Sequence, residues 1–458
     1  MRMTKVAEED RISSLPEQLL GHILSFIDTI QAVHTCLLSK TWRYSWKSLP
    51  DLYFDDDPKI QDFEQFVDNV LANFPDGARI HKFTLRNWTE TSDSFDQLNN
   101  WMESPILRNI QELQLEHRIR ISPTSLIGQV KTLTLKSVEF SPCGDKNDHV
   151  EFKFPVVENM VLDHCCWNEL KFLVISAPRL RSLSVDSFWS VRESVKISAP
   201  NLITLYLKVT VGNEVSFDPL PFLVRAEIET DIDTTNPKKY IDIGKKKVLL
   251  LTKIFKQVSN ARSLTLSTND FQLWPELVLE SLKRDRIQFH SAKNLKLKDC
   301  NLKGDIHVIA TFLESFPGLE TLVMVNSAPC IVISKQKPPT VSNCDFRNLT
   351  SVEIQQYNGQ ENEFNLLEFI VRRAMSLEKI VIAVEVEVTS GDSRGKTLRS
   401  SLVRRLKSWG VAPKLIDTDL ERVGSAKAAK RRRKNEVKNF EDLNTTELQY
   451  FSLGLKIC

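Results

Sequence analysis

The sequence predicts an α/β protein in which a small helical unit precedes a long repeat array built on a parallel sheet. Three observations lead to this prediction. A short run with apolar residues at alternate positions recurs through most of the chain, the segments between many of these runs have a helical pattern, and residues 11–50 form a separate apolar segment. The composition, with 41% hydrophobic and 26% charged residues, is that of a folded protein.

The recurring run has the form xLxL. It appears as "HKFTLRN" at 81, "KTLTLKS" at 131, "RSLSVDS" at 181 and "KNLKLKD" at 293, among eleven such runs in all. Most intervals are 20–31 residues, and "SAPRLRSLSV" at 176 is nearly copied as "SAPNLITLYL" at 198. This pattern is typical of leucine-rich repeats, which form a solenoid with a parallel sheet on the concave face and helices or loops on the convex face.

The uneven spacing of the runs predicts an irregular solenoid. Between the runs, "FEQFVDNVLANF" at 63 places its apolar residues on one face of a helix. The alternative is a β-rich globular domain in which the xLxL runs arise by chance.

Residues 11–50 carry three helix-start signals. Ser14 and Glu17 have the spacing of a capping box, Asp28 or Thr29 can begin a second helix, and Ser39 can begin a third. Apolar residues at spacing four line one face of the first helix, and others lie beside or across from it. A unit this small should bury part of this surface on another body. It can cap the solenoid, dock a partner, or do both.

The stretch "ISSLPEQLLGHILSFIDTIQAVHTCLLSKTWRYSWKSL" strongly resembles an F-box. The resemblance implies binding to a Skp-family adaptor and, through it, to a cullin ubiquitin ligase. It also implies that Trp46 joins the F-box to the repeats. Asp28, Ile30 and Thr41 depart from the usual F-box pattern, and these departures bear on adaptor affinity or choice. By position, the implied adaptor contacts are Leu15, Pro16, Leu19, Ile23, Val33, Leu37, Leu38, Ser39 and Trp42.

A second resemblance lies near the carboxyl end. "FRNLTSVEIQQYNGQENEFNLLEFIVRRAMSLEKIVI" and "LRSSLVRRLKSWGVAP" look like an FBD domain. The order F-box, leucine-rich repeats, FBD is that of a large family best known from plants. The predicted domains are an F-box at 11–50, repeats at 51–344, an FBD domain at 345–417 and a basic, disordered tail at 418–458.

Sequence motifs for catalysis, phosphate binding or metal binding are absent. The eight cysteines form no CxxC pair. "DHCCW" at 163 groups His164, Cys165 and Cys166, but strand-end packing is favoured over a metal site because no further ligand has suitable spacing. Cys36 is interpreted as a core residue. We therefore expect a non-enzymatic protein without metal or cofactor.

Target recognition is expected from the positions between the leucines of the strands. Their mixed chemistry favours a protein target, with Tyr206 as the strongest single candidate because aromatic side chains often dominate interfaces. The candidates are Gln114, Thr134, Ser184, Tyr206, Thr265, Lys296, Val323 and Glu353.

The net charge of +2 and the lack of a signal peptide or a long apolar run predict a soluble protein of the nucleus or cytoplasm, or both. Nucleic acid is not an expected partner, because the one strongly basic run lacks interleaved aromatics. That run is either a solvated tail or a nuclear import signal. Its residues are Lys430, Arg431, Arg432, Arg433 and Lys434.

The sequence therefore predicts the substrate-recognition subunit of a Skp–cullin–F-box ubiquitin ligase that binds an adaptor and an unidentified target protein. One alternative is a scaffold of protein interactions outside any ligase, including one in the nucleus. Another is a receptor for a small ligand, which would need a pocket of convergent polar residues.

Overall fold

The structure is a computed structural model. It describes residues 12, 15–56, 62–75, 77–88, 97–117, 119–121, 129–140, 149–167, 170–186, 191, 194–210, 214–231, 240–267, 275–300, 306–326, 345–357, 359, 361–387, 393–409 and 416–423. The chain forms two compact units. The first contains Met1–Leu264 and Ser281–Ile287, and the second contains Thr265–Glu280 and Gln288–Cys458.

The N-terminal segment folds into two short α-helices and two 3-10 helices. These are α1 (Glu17–Leu24), α2 (Thr29–His34), and the 3-10 helices Thr35–Leu37 and Trp42–Ser48. The third predicted helix thus forms as a 3-10 helix that begins at Trp42, and the prediction that Ser39 caps it is wrong because Thr41 holds that position. The hydroxyls of Ser45 and Ser48 donate to backbone carbonyls three or four residues back, which competes with regular α-helical bonding.

Two contacts join this segment to the residues that follow. The Trp46 indole packs edge-on against Phe74, with ring centroids 5.3 Å apart, as predicted for Trp46. The buried Thr29 hydroxyl accepts a hydrogen bond of 2.8 Å from the backbone N–H of Tyr53. In addition, a side chain on Gly21 would meet the Ser48 hydroxyl, so α1 lies very close to the second 3-10 helix there.

The predicted parallel sheet is confirmed. In the first unit, eight strands pair in parallel and in sequence order: β1 (Asp51–Asp55), β2 (Lys82–Arg86), β3 (Glu112–Glu116), β5 (Thr132–Lys136), β8 (Asn159–Asp163), β10 (Ser182–Asp186), β12 (Thr204–Thr210) and β14 (Arg225–Asp231). The leucines of the xLxL pattern, such as Leu115, Leu135 and Leu207, are fully buried. Alternation along each strand therefore puts the intervening residues on the opposite face of the sheet.

A second parallel sheet in the first unit was not predicted. Its spatial order is β13 (Glu214–Phe217), β11 (Ser194–Ser198), β9 (Phe172–Ser176) and β7 (His149–Lys153). A two-stranded sheet of β4 (Arg120–Ile121) and β6 (Glu139–Phe140) precedes it in the chain. Several repeats thus contribute one strand to each of two sheets.

The remaining helices of the first unit include the predicted one. This helix, α3 (Phe63–Ala72), buries Phe63, Val67, Val70 and Leu71 along one face. The others are α4 (Gln97–Glu103) and α5 (Tyr240–Val258).

Four of the eight strands of the first-unit sheet end in the same turn. Asn87, His117, Ser137 and His164 each follow a strand and have a positive φ of 51–59°. The backbone N–H of each donates to a carbonyl at the end of the next strand, as in the 2.8 Å bond from His117 to Lys136. This turn brings four exposed polar side chains to the carboxyl edge of the sheet.

The second unit has its own parallel strands in sequence order: β16 (Asn294–Cys300), β17 (Thr321–Asn326), β18 (Ser351–Tyr357), β19 (Lys379–Glu387) and β20 (Ile416–Val423). Its helices include α7 (Ile306–Leu313), α8 (Glu361–Arg373) and α9 (Ser393–Ser408), while β15 (Ser263–Ser267) and α6 (Pro275–Arg284) come earlier in the chain. The order strand, helix, strand, helix within 345–417 agrees with the order expected there, although the domain boundaries stay predictions. Where the structure describes the chain, its helices fall short of the length and apolar character required to cross a membrane.

Candidate docking surfaces

The N-terminal segment exposes a group of large apolar side chains, here called the outer face. The outer face consists of Leu19, Ile23, Phe26, Ile27, Leu37 and Leu38. Leu37 is 83% exposed, Phe26 76% and Leu38 70%. Single exposed apolar residues are ordinary, but a group of this size within twenty residues is typical of a surface that binds another molecule.

Helical spacing explains why α1 has two apolar faces. Leu20 and Leu24, four residues apart, turn inward and are buried. Leu19 and Ile23, offset by one position, lie on the other side and remain 49% and 42% exposed. The inner pair holds the segment together, so the outer pair is available for docking.

The other predicted adaptor contacts have different environments. Pro16 is exposed at the N-cap of α1, while Leu15, Val33 and Ser39 are half-buried. Trp42 is buried, so it supports the segment from inside. Exposed Phe26, Ile27 and Tyr44 were not among the predicted contacts. Their spacing beside Leu19 and Ile23 was the available signal for the first two.

Asp28, the first of the three departures from the F-box pattern, has a definite structural role. Its carboxylate accepts a hydrogen bond of 2.7 Å from the backbone N–H of Gln31 and so caps α2. Of the two predicted caps, Asp28 is therefore the one that forms. The Ser14 end of the predicted capping box lies outside the described residues, and α1 begins at Glu17.

The sheet of the first unit brings the predicted target-binding residues into one row. Gln114 pairs in register with Thr134, and Ser184 pairs with Tyr206. Val161 stands between Thr134 and Ser184. We call this the middle row, and it consists of Tyr53, Thr84, Gln114, Thr134, Val161, Ser184, Tyr206 and Glu227. The sequence thus located the row correctly, while binding by these residues stays a prediction.

A second row, two residues further along each strand, carries the charges that the sequence analysis missed. We call it the charged row, and it consists of Asp55, Arg86, Glu116, Lys136, Asp163, Asp186, Lys208 and Glu229. An alignment of the repeats on their leucines would have predicted this row, because each member directly follows the second leucine position of its strand.

Glu116 forms the centre of a closed network in the charged row. Its side chain is 2% exposed and is held by the Arg86 guanidinium, by Lys136 Nζ at 2.8 Å and by Gln114 Nε2 at 2.6 Å. Burial raises the pKa of Glu116, but hydrogen bonds and charge from Lys136, Gln114 and Arg86 outweigh burial and lower the pKa to about 2. Gln114 is itself buried and used by this network, which leaves it little capacity for a target.

Tyr206 lies in a different environment on the same sheet. Its hydroxyl donates to Glu229 Oε2 at 3.2 Å, and the side chain is half-buried. Burial raises the pKa of the phenol, and the charges of Glu229, Asp186 and Glu227 raise it further. Carboxylates are therefore the charges that act most strongly on this hydroxyl.

The predicted residues of the second unit also fall into register. Lys296 pairs with Val323, and Val323 pairs with Glu353. All three are half-buried, as is Thr265 in β15. Glu353 accepts a hydrogen bond of 2.6 Å from Gln355.

The "DHCCW" cysteines behave mainly as packing residues. Cys165 is buried, and burial raises the pKa of its thiol to about 12, so it is unreactive. Cys166 and Cys36 are half-buried rather than core residues. His164 Nδ1 lies 2.5 Å from Asp163 Oδ1, and with Asp186 these residues offer three atoms within 4.8 Å of one another. Because Lys208 Nζ already lies 3.3 Å from Asp186, we assign no metal site there.

An open cleft of about 820 Å³ lies at the carboxyl edge of β2, β3, β5 and β8. Several of its polar groups already have partners. Arg86 binds Glu116, and Asn87 Nδ2 donates to Asp55 at 2.8 Å. The lining residues are Asp55, Arg86, Asn87, His117, Ser137, Val138, Glu139, His164 and Cys166. The predicted basic run at Lys430–Lys434 lies outside the described residues.

Two family models match the chain. The F-box domain matches residues 12–53, and the leucine-rich repeats of "FBD-associated F-box protein At5g56370" match residues 98–324. The first match covers the segment that bears the outer face, and the second covers most of both rows of the first-unit sheet.

Relatives from Arabidopsis thaliana match over most of their length. "Putative F-box/LRR-repeat protein At3g58880" is 26% identical over 437 residues, which covers 82% of this chain and 92% of the relative. "F-box/FBD/LRR-repeat protein At1g51370" is 27% identical over 413 residues, covering 82% of this chain and 90% of the relative. "Putative FBD-associated F-box protein At5g56560" is 26% identical over 413 residues, covering 81% and 91%.

Proposed function

Because this chain carries an F-box domain followed by leucine-rich repeats of the FBD-associated F-box family, we propose that it is the substrate-recognition subunit of a Skp–cullin–F-box ubiquitin ligase. The F-box docks a Skp-family adaptor, and the repeats recruit a target protein for ubiquitination. Proteins of this kind are generally non-catalytic adaptors, so the chain supplies binding surfaces rather than reactive groups.

The outer face of the F-box is the observation that supports this proposal most directly. Leu20, Leu24 and Trp46 form the interior of this segment. Leu37 and Leu38 take no part in that interior and stay exposed to solvent. Burying the outer face under an adaptor would remove this apolar surface from water. Each Å² of apolar surface buried contributes roughly 25 cal/mol of favourable free energy, so burial of the outer face would contribute substantially to adaptor binding.

The mechanism is proximity. An adaptor bound at the F-box and a target bound at the repeats are held in one complex, so the target's lysines meet the charged ubiquitin-conjugating enzyme at a high effective concentration. Neither step requires a catalytic residue on this chain. We propose that this activity takes place in the nucleus, the cytoplasm or both, and that the basic run at Lys430–Lys434 is a candidate nuclear import signal.

Capture by a Skp-family adaptor tests the proposal. The full-length chain should be retained on immobilised adaptor, and the double substitution Leu15→Asp with Pro16→Ala should abolish retention. Leu37→Asp should do the same, because a charge replaces a side chain that is 83% exposed on the outer face. Met375→Asp is a matched control, since Met375 is 82% exposed in the second unit, and it should bind normally.

Normal retention of both F-box variants would contradict the proposal. It would favour the alternative of an interaction scaffold outside any ligase. Such a scaffold would keep its partners without adaptor, and proteasome inhibition would leave the partners' levels unchanged.

A further inference from the structure

We propose that the sheet face around Tyr206 binds a basic side chain of the target, with arginine preferred over lysine. This inference rests on the proposed function and adds the chemistry of the target segment. Three features support it: the local charge, the small neighbours of the ring on β10 and the arrangement of acceptors.

The local charge is negative. Among the described side chains on this face of β8, β10, β12 and β14, four are carboxylates and two are cations. The carboxylates are Asp163, Asp186, Glu227 and Glu229, and the cations are Lys208 and Arg225. The effect of Glu229, Asp186 and Glu227 on the Tyr206 hydroxyl shows the same sign at the ring itself. A surface of this sign attracts a basic segment.

The nearest side chains of β10 beside the ring are small. The register neighbour of Tyr206 on β10 is Ser184, and two residues earlier on the same strand is Ser182. Both side chains are small, so the larger neighbour of the ring on β10 is Asp186, two residues after Ser184. A planar guanidinium can stack on an aromatic face within about 6 Å of its centroid.

Acceptors flank the ring on two strands. Glu227 is the register neighbour of Tyr206 on β14, and Glu229 accepts the bond from its hydroxyl. Asp186 lies on β10, next to Lys208 in register. An arginine stacked on the ring therefore has carboxylates within reach of its N–H groups, which its forked geometry suits better than the point charge of lysine.

Lys208 competes with an incoming cation. Its Nζ lies 3.3 Å from Asp186 Oδ1. Removing the Lys208 charge should therefore strengthen binding of a basic peptide, a change in the opposite direction from the other variants. A purely structural role for these residues would not produce that gain.

The experiment uses the purified full-length chain and a fluorescein-labelled peptide of alternating glycine and arginine, measured by fluorescence anisotropy. The same peptide with lysine in place of arginine should bind more weakly, and the peptide with citrulline, which has the shape of arginine without its charge, should bind at least about tenfold more weakly. Glu229→Gln should weaken arginine-peptide binding by about tenfold. Lys208→Gln should tighten binding.

Two substitutions separate the ring from the hydroxyl. Tyr206→Phe keeps the aromatic face and should bind within about twofold of the wild type, whereas Tyr206→Ser should bind about fivefold to tenfold more weakly. Glu112→Gln is the matched control, because it removes one carboxylate from β3 of the same sheet, away from Tyr206, and it should not change binding.

Equal binding of the arginine and citrulline peptides would overturn the inference, as would equal losses in Glu112→Gln and Glu229→Gln. Adaptor capture of the same preparations distinguishes this failure from failure of the proposed function. A chain that binds the adaptor but shows no arginine preference keeps its ligase role and loses only the target chemistry proposed here.

Discussion

The F-box and the first-unit sheet treat apolar side chains in opposite ways. In the sheet, leucines such as Leu115 and Leu207 are fully buried, and the opposite face carries polar and charged side chains. In the F-box, Leu37 and Leu38 are among the most exposed large hydrophobic residues of the described chain. The sheet completes its core by stacking one repeat on the next, whereas the F-box leaves part of its apolar surface exposed.

This difference separates two modes of recognition. The F-box offers an apolar surface, which suits one permanent or frequent partner because its affinity comes from burial. The sheet offers charges and hydrogen-bonding groups, which would give selectivity among targets under the proposed function. If this distinction is correct, substitutions of buried residues in the sheet should mainly lower stability, and substitutions in the outer face should mainly lower adaptor binding.

The largest expected effect on stability comes from the sheet interior. Leu207→Ala should lower the free energy of unfolding by about 2–5 kcal/mol, because it leaves a cavity in a fully buried site. Leu37→Ala makes the same chemical change at an exposed site and should alter stability by less than about 0.5 kcal/mol. Urea unfolding followed by circular dichroism measures both. Similar losses in the two variants would show that Leu37 is packed in solution and not exposed.

The next effect comes from the charged row. Glu116→Gln should lower the free energy of unfolding by on the order of 2 kcal/mol at pH 7, because Arg86 and Lys136 lose the carboxylate that neutralises them. The pKa of Glu116 is lowered in the folded protein, from 4.5 to about 2. Its contribution is therefore complete above pH 4.5 and is lost as the pH falls towards 2.

The stabilities of wild type and Glu116→Gln should accordingly converge between pH 4.5 and pH 2, as read from unfolding curves at several pH values. Glu112→Gln serves as the control, since its half-buried carboxylate has only a long contact of 3.8 Å with Lys82. A constant difference between wild type and Glu116→Gln across this range would be inconsistent with the network described for Glu116.

A smaller effect is expected at the α2 cap. Asp28→Ala should cost about 1 kcal/mol, because the N–H of Gln31 loses its acceptor. Asp28→Asn keeps an acceptor and should remain close to the wild type. Thermal unfolding compares the two variants. If Ala and Asn destabilise equally, the carboxylate acts through its charge and not through the cap.

The smallest change in stability should come from the outer face, together with a large change in binding. Phe26→Ser should unfold like the wild type, since the ring is 76% exposed and contacts His22 edge-on. Its retention by the adaptor should fall by at least about tenfold if the ring enters the interface. Surface plasmon resonance on immobilised adaptor gives this number, and full retention would exclude Phe26 from the interface.

Sequence periodicity was sufficient for the main sheet. The alternation in "KTLTLKS" and "RSLSVDS" identified β5 and β10, because only a strand places every second residue on one face. The weakest run, "RAEIETD", also proved to be a strand, β14. Register followed for the same reason, since the leucines of neighbouring repeats must meet in one core.

The second sheet was harder to foresee. The strands "HVEFK" and "SVKIS" alternate as the main strands do, but alternation does not tell which strand pairs with which. The network at Glu116 was hard to predict for a related reason. Its partners Arg86 and Lys136 lie 30 and 20 residues from Glu116 in sequence, so the contacts depend on which strands pair. The F-box surface was partly predictable, because helical spacing places Leu19 and Leu20 on different faces of α1. The exposure of Leu37 and the 3-10 form of the Trp42 segment depend on local packing, which the sequence pattern does not specify.

The charged row has a consequence for how a gene encoding such an array can change its length. Losing the repeat that contains Glu116 would place Arg86 beside Lys136, two like charges at adjacent strands of a sheet. Losing the repeat that contains Asp186 would instead place Asp163 beside Lys208, an attractive pair. Unequal recombination should therefore be tolerated at the near-identical "SAP" repeats and selected against at the Glu116 repeat, three repeats earlier, so the charges of this row decide which repeats can be lost.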